Sequence, residues 1–111
     1  MPTVNIYQAN KEFEHKLKFL TNDLKKFIAK ELSGNSIVLD VDEVSIRIIN
    51  VDGEGALAPI EVEINAAAFE ERVKNQDEIC LEIQKFLKDA LSSDVKVWLI
   101  LSELGHSWEN T

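Results

Sequence analysis

The sequence predicts an α+β domain in which two tandem β-α-β units form a four-stranded mixed sheet with two helices on one face. Four short segments are alternating, β-branched or almost wholly apolar, as strands are, at residues 3–8, 44–49, 60–65 and 95–101. Apolar residues recur at helical spacing in two longer segments, residues 11–32 and 76–91. The second half also repeats the first, since "DEVSIRIIN" recurs as "SDVKVWLIL". Each helix therefore joins two parallel strands by a right-handed crossover.

The first predicted strand follows directly on Pro2, in "MPTVNIYQ". Proline is tolerated at the start of a strand because no ladder donor is needed there. Removal of Met1, which is usual before a small second residue, would instead leave Pro2 as a free secondary amine. The first strand alone does not decide between these two interpretations.

The two predicted helices each have one apolar face. In residues 11–32 the inward positions are Phe13, Leu17, Leu20, Leu24, Phe27, Ile28 and Leu32. In residues 76–91 they are Ile79, Cys80, Ile83, Phe86, Leu87, Ala90 and Leu91. Asn10 suits the first N-cap, and Gly34 suits a left-handed residue after the first helix. Asn75 with Glu78 resembles a capping box at the second helix.

The second and fourth strands, "VSIRII" and "VKVWLIL", are apolar at nearly every residue, which is typical of strands buried on both faces. Two helices cover only one face of a four-stranded sheet. In so short a chain the simplest cover for the other face is a second copy. We therefore expect a closed homo-oligomer.

Composition narrows the function classes. The 111 residues suit one domain over 1–111, with repeat halves of about 2–52 and 58–108. A net charge of -8 argues against nucleic acid and anionic membrane surfaces as partners. The single cysteine, Cys80, cannot form an internal disulfide, which fits a reducing cytoplasm. There is no apolar span, and the N-terminus lacks the pattern of a signal peptide.

Two folds share this order of elements. One is the ferredoxin-like fold, which includes small-molecule-sensing domains. The other is built from paired β-α-β units. The long connection "NVDGEGALAP" and the likeness between the halves favour the second.

Three motifs make the chain similar to the tautomerase superfamily, the group of 4-oxalocrotonate tautomerase, 5-carboxymethyl-2-hydroxymuconate isomerase and macrophage migration inhibitory factor. They are "MPTVNIY", "VSIRII" and the tail "SELGHSW". The resemblance implies a tautomerase-like fold, Pro2 as catalytic base, a homotrimer and no cofactor. It also implies Arg47 and Trp108 as substrate-binding residues. The second arginine of the short members, just after their first strand, is replaced here by "QANKEF", which leaves Lys11 and, from the second half, Arg72 as further candidates.

These residues would support proton transfer. An uncharged prolyl amine can take a proton next to a carbonyl and return it elsewhere. Arginine binds a carboxylate with two parallel hydrogen bonds, and the chain has only two arginines. The sequence thus predicts an isomerase acting on a small 2-oxo or 2-hydroxy carboxylic acid. The alternatives are a non-catalytic oligomeric binding protein of the same fold and a ferredoxin-like sensing domain.

The other reactive residues have structural interpretations. His15 and His106 lack metal-ligand spacing, so no metal site is expected. Cys80 lies on the inward face of its helix, where inert packing is expected. Pro59 has no free amine inside the chain and is expected to start the third strand. Glu61 and Glu63 are expected to be solvated or rim residues.

Overall fold

The computed structural model describes residues 2–9, 11–34, 38–52 and 58–102. The strands are β1 (Thr3–Gln8), β2 (Ser45–Asn50), β3 (Ile60–Ala67) and β4 (Val95–Ser102). The helices are α1 (Glu14–Leu32), α2 (Glu70–Lys74) and α3 (Gln76–Leu91), with single 3₁₀ turns at Lys11–Phe13 and Val41–Glu43. The bounds predicted for β1 and α3 are confirmed. The short helix α2 was not predicted, because five residues are too few to show a period.

The sheet has the order β2-β1-β3-β4. β1 pairs with β2 in parallel, β3 pairs with β4 in parallel, and β1 and β3 are antiparallel. The first and second strands are therefore neighbours joined through α1. A ferredoxin-like sheet does not place these two strands side by side, so this topology excludes that alternative.

The core lies between one face of the sheet and the helices. Alternate residues of β1 and β3 are buried there, and α1 and α3 contribute the apolar faces predicted from their spacing. Phe27 and Phe86 stack with ring centroids 4.7 Å apart and join the two helices. Ala90 is an exception to the predicted inward face, because it is exposed, and Cys80 is only half-buried.

The helix ends differ from the predicted caps. α1 ends in extended backbone at Ser33, whose hydroxyl donates to the Ala29 carbonyl oxygen (2.6 Å) and accepts from the Leu39 N–H (3.0 Å). Gly34 is not left-handed; a Cβ there would collide with the carboxylate of Glu71. Asn75 makes no side-chain cap because it also ends α2, where its N–H donates to the Glu71 carbonyl oxygen (3.1 Å). Asn10 lies outside the described residues.

We call the sheet face opposite the helices the open face. Its outer strand β4 carries exposed apolar side chains, with Trp98 50% and Ile100 44% accessible. Its centre is polar, because Asn5 and Glu63 are partners in the β1–β3 register. The described helices include none that is both long and apolar enough to cross a membrane.

Removal of core volume should cost far more stability than removal of exposed apolar volume on the same helix. Ile83 is 0% accessible and Leu81 is 47% accessible. We expect Ile83→Ala to lower the free energy of unfolding by about 2–5 kcal/mol. Leu81→Ala should change it by only about 0.5 kcal/mol. Urea denaturation at one fixed protein concentration measures both, and equal losses would contradict the assignment of the core face.

Candidate functional site

Pro2 is buried at the point where β1 begins. Its carbonyl oxygen accepts a hydrogen bond from the N–H of Ser45, the first residue of β2, at 3.1 Å. Thr3 pairs with Asn65, so continuation of this register by one residue places Pro2 opposite Ala66. Because side chains alternate along a strand, Pro2 falls on the helix side of the sheet with Val4. Pro2 is thus fixed between the start of β2 and the end of β3.

Arg47 lies on the other side of the sheet. It is exposed on the edge strand β2, and its Cα partner is Asn5 on the open face. Among the described residues it has no hydrogen-bond or ion-pair partner. The guanidinium is therefore available to an anion, but the sheet separates it from the side on which Pro2 lies.

Arg72 on α2 is 4% accessible. Its Nε donates to the Leu32 carbonyl oxygen at 3.0 Å, and its Nη1 donates to the Ala67 carbonyl oxygen at 3.1 Å. Its guanidinium carbon lies 4.7 Å from the ring centroid of Phe69. Burial lowers the pKa of Arg72, yet guanidinium stays protonated in proteins. The side chain connects the end of α1 to the end of β3.

The other two predicted ligands do not join Pro2 within the described part of one chain. Lys11 is exposed in the 3₁₀ turn after the far end of β1. The six residues of β1 span roughly 20 Å, so Lys11 and Pro2 lie at opposite ends of the strand. Trp108 lies outside the described residues. Pro59 directly precedes β3, as predicted.

A polar cluster on the open face was missed by the sequence analysis. One carboxylate oxygen of Glu63, Oε1, accepts hydrogen bonds from Asn5 Nδ2 (3.2 Å), Asn65 Nδ2 (3.2 Å) and, at a long 3.5 Å, the Tyr7 hydroxyl. Glu63 is half-buried. The alternation along "TVNIYQ" and "IEVEIN" predicts a polar face on each strand. Only the pairing of β1 with β3 shows that these two polar faces lie side by side.

A cavity of about 270 Å³ opens beside this cluster. It is lined by Tyr7, Ala9, Val51, Ala58, Glu61 and Glu63. These residues lie toward the end of β1 that is remote from Pro2. Lys96 lies 3.8 Å from a Glu61 carboxylate oxygen and 4.6 Å from the Trp98 ring centroid, so a cation already neighbours one of the two carboxylates.

Cys80 shows no sign of a reactive thiolate. Burial is the main cause that raises the pKa of its thiol, and this keeps the thiol protonated at neutral pH. His15 is exposed, as its place on the solvated face of the helix predicts. Within the described ranges, no group of three or more His, Cys, Asp or Glu side chains is arranged to hold a metal ion.

The fold places the chain among proteins with the tautomerase fold. Over 98% of its length it superimposes on a Vibrio cholerae protein of unknown function, with a TM-score of 0.70, 16% identity and 84% of that chain covered. A macrophage migration inhibitory factor-like protein from Entamoeba histolytica matches 99% of this chain and 95% of its own, with a TM-score of 0.70 and 10% identity. A fused 4-OT, described as an asymmetric trimer, matches 90% of this chain and 85% of its own, with a TM-score of 0.69 and 12% identity.

These structures confirm the fold that the sequence motifs predicted. No family model matches the chain, and no curated protein matches its sequence. At 10–16% identity the likeness concerns the fold and not the reaction.

Proposed function

We propose that this protein is a cofactor-independent, tautomerase-like isomerase in which Pro2 is the general base. The observation that carries the proposal is the buried position of Pro2 at the first strand of a tautomerase fold. The substrate is a small 2-oxo or 2-hydroxy carboxylic acid, and the reaction moves a double bond between its enol and keto forms.

The proposed chemistry begins with removal of Met1, which frees the Pro2 nitrogen as a secondary amine. An ordinary α-amino group titrates near 7.7–8.0. Burial disfavours the ammonium form, so the amine is uncharged and basic near neutral pH. It takes a proton from the hydroxyl of the enol or from the carbon next to the carbonyl. The same proton is then returned at the other end of the shifted double bond, so no oxidant or cofactor is consumed.

Arg47 is the proposed ligand for the substrate carboxylate. Its guanidinium is exposed and has no partner among the described side chains. A bidentate pair with a carboxylate fixes the substrate in orientation as well as in position. Because Arg47 and Pro2 lie on opposite sides of one sheet, the arginine at each Pro2 comes from another copy of the chain.

The proposed assembly is the homotrimer that the family resemblance implies, with sites between subunits. Exposed Trp98 and Ile100 on the open face give such an interface its apolar part. Lys11 and Trp108 are proposed as further substrate-binding residues of the neighbouring copy. A net charge of -8 and one cysteine support a cytoplasmic protein that binds neither nucleic acid nor membranes.

Pro2→Ala should reduce the rate of phenylpyruvate enol-to-keto conversion by about 10²–10⁴-fold, because the tuned secondary amine is lost. Pro59→Ala, at the exposed proline before β3, should leave the rate unchanged. The mass of the natively expressed N-terminus should show that Met1 is absent. Equal rates for wild type and Pro2→Ala, or a retained Met1, would leave a non-catalytic binding protein of the same fold.

Arg47→Ala should raise KM for the same substrate by roughly 10–100-fold with a smaller change in kcat, since a charge-assisted hydrogen bond contributes about 1.5–3 kcal/mol. Arg47→Lys should recover only part of this loss, because lysine lacks the two-pronged geometry. Steady-state kinetics measures both. An unchanged KM in both variants would remove Arg47 from the site.

Sedimentation equilibrium should give a mass three times that of the 12.6 kDa chain. Trp98→Glu should dissociate this species, because it buries a charge in the proposed interface. Phe19→Glu is the matched control, since Phe19 is 85% accessible on α1, away from the open face. A monomeric wild type would refute the proposed assembly.

A further inference from the structure

We propose that Arg72 is a positioning residue for Pro2: it holds the end of β3 against the start of β1 and does not bind the substrate. This inference rests on the proposed function of Pro2. It assigns Arg72 a role different from the substrate-binding role that the sequence resemblance implies.

The contacts of Arg72 are with backbone rather than with open space. Its Nε bonds to the last residue of α1, Leu32, and its Nη1 bonds to the last residue of β3, Ala67. Both acceptors are backbone carbonyl oxygens, one at the end of a helix and one at the end of a strand. The carbonyls in the last turn of a helix have no partner within the helix, so the bond to Leu32 satisfies a group that otherwise needs water.

The bond to Ala67 acts next to Pro2. Ala67 follows Ala66, which the antiparallel register places opposite Pro2. Pro2 and Arg72 are both buried. The N–H of Ala68, one residue further on, donates to the Ser102 carbonyl oxygen at 3.0 Å. Arg72 and this bond both act on the backbone at the end of β3, which lies beside the start of β1.

The space beside Arg72 is too small for a substrate. The adjoining cavity has a volume of about 40 Å³, which is room for one or two water molecules. Glu71 and Glu31 line the same cavity. A 2-oxo carboxylic acid therefore lacks the volume that it needs at Arg72.

Only arginine has the shape for this connection. The guanidinium presents its N–H donors in a rigid plane, so one side chain reaches two carbonyls in fixed directions. Lysine carries the same charge on a flexible stem and has one nitrogen. Arg72→Lys thus separates the geometry of the connection from its charge.

The kinetic test compares Arg72→Lys and Arg72→Met with Arg47→Ala. Displacement of a catalytic group by about 1 Å costs up to 10²-fold in rate. We therefore expect both Arg72 variants to lower kcat by about tenfold or more while KM stays within about threefold. Arg47→Ala should show the reverse pattern. A raised KM with unchanged kcat in the Arg72 variants would show that Arg72 binds substrate, and would overturn the proposal.

A second measurement needs no activity. Amide hydrogen exchange of Ser45, which donates to the Pro2 carbonyl oxygen, should become about tenfold faster in Arg72→Lys. The control is Val51, whose N–H donates to the Gln8 carbonyl oxygen at the other end of the same strand pair (2.9 Å) and should keep its wild-type rate. Unchanged Ser45 exchange would overturn the proposal.

The two measurements separate the inference from the function on which it rests. If Pro2→Ala is as active as wild type, the proposed function fails, and Ser45 exchange still decides whether Arg72 holds Pro2 in place. If Arg72→Met does not fold, Arg72→Lys supplies both readouts. Equal acceleration at Ser45 and Val51 would mean general destabilisation and would also overturn the proposal.

Discussion

The antiparallel pairing of β1 with β3 is the contact on which the rest of this structure depends. Each parallel pair, β1 with β2 and β3 with β4, closes within its own half of the chain through a helix. Only the β1–β3 register joins the two halves into one sheet. The same register places Pro2 opposite Ala66 and Asn5 beside Glu63. A slip of one residue would exchange the two faces and expose the apolar side chains of both central strands.

That register divides the molecule into two chemically different sides. On the helix side, apolar residues of β1 and β3 pack against α1 and α3. The buried Arg72 donates hydrogen bonds to two backbone carbonyl oxygens. On the open face, Glu63 accepts hydrogen bonds from three uncharged side chains, and Arg47 lies exposed on the edge strand. Pro2 belongs to the first side and Arg47 to the second. One chain therefore holds the parts of the proposed site without assembling them.

Local sequence patterns predicted most of the helices and strands, because these elements are determined largely by short stretches of sequence. The helical period of "QDEICLEIQKFLKDAL" predicts α3 without knowledge of the elements that pack against it. The alternation in "TVNIYQ" predicts β1 in the same way. The caps were predicted less well, since Asn75 is shared by two adjacent helices and Ser33 bonds to a residue beyond the helix. The family resemblance proposed Pro2 and Arg47 as site residues. It did not show that they lie on opposite faces.

Two of the contacts that sequence analysis missed join residues far apart in the chain. Glu63 and Asn5 are 58 residues apart, and Arg72 and Leu32 are 40 apart. No periodicity connects such pairs, so a motif identifies Arg72 as an arginine near a family position but not as a buried one. Burial changes its surroundings: an exposed guanidinium is open to an anion, whereas that of Arg72 is enclosed by two carbonyl oxygens and the Phe69 ring.

The same reasoning ties the proposed activity to assembly. A chain with a net charge of -8 repels a carboxylate substrate at long range. Binding therefore needs a positively charged side chain at the site itself. Arg72 is enclosed, and Lys11 lies roughly 20 Å from Pro2 along β1. Arg47 is the exposed arginine of the described chain, and within one chain the sheet lies between it and Pro2. In this chain the proposed base and the accessible guanidinium lie on opposite sheet faces, so the proposed activity requires the proposed assembly.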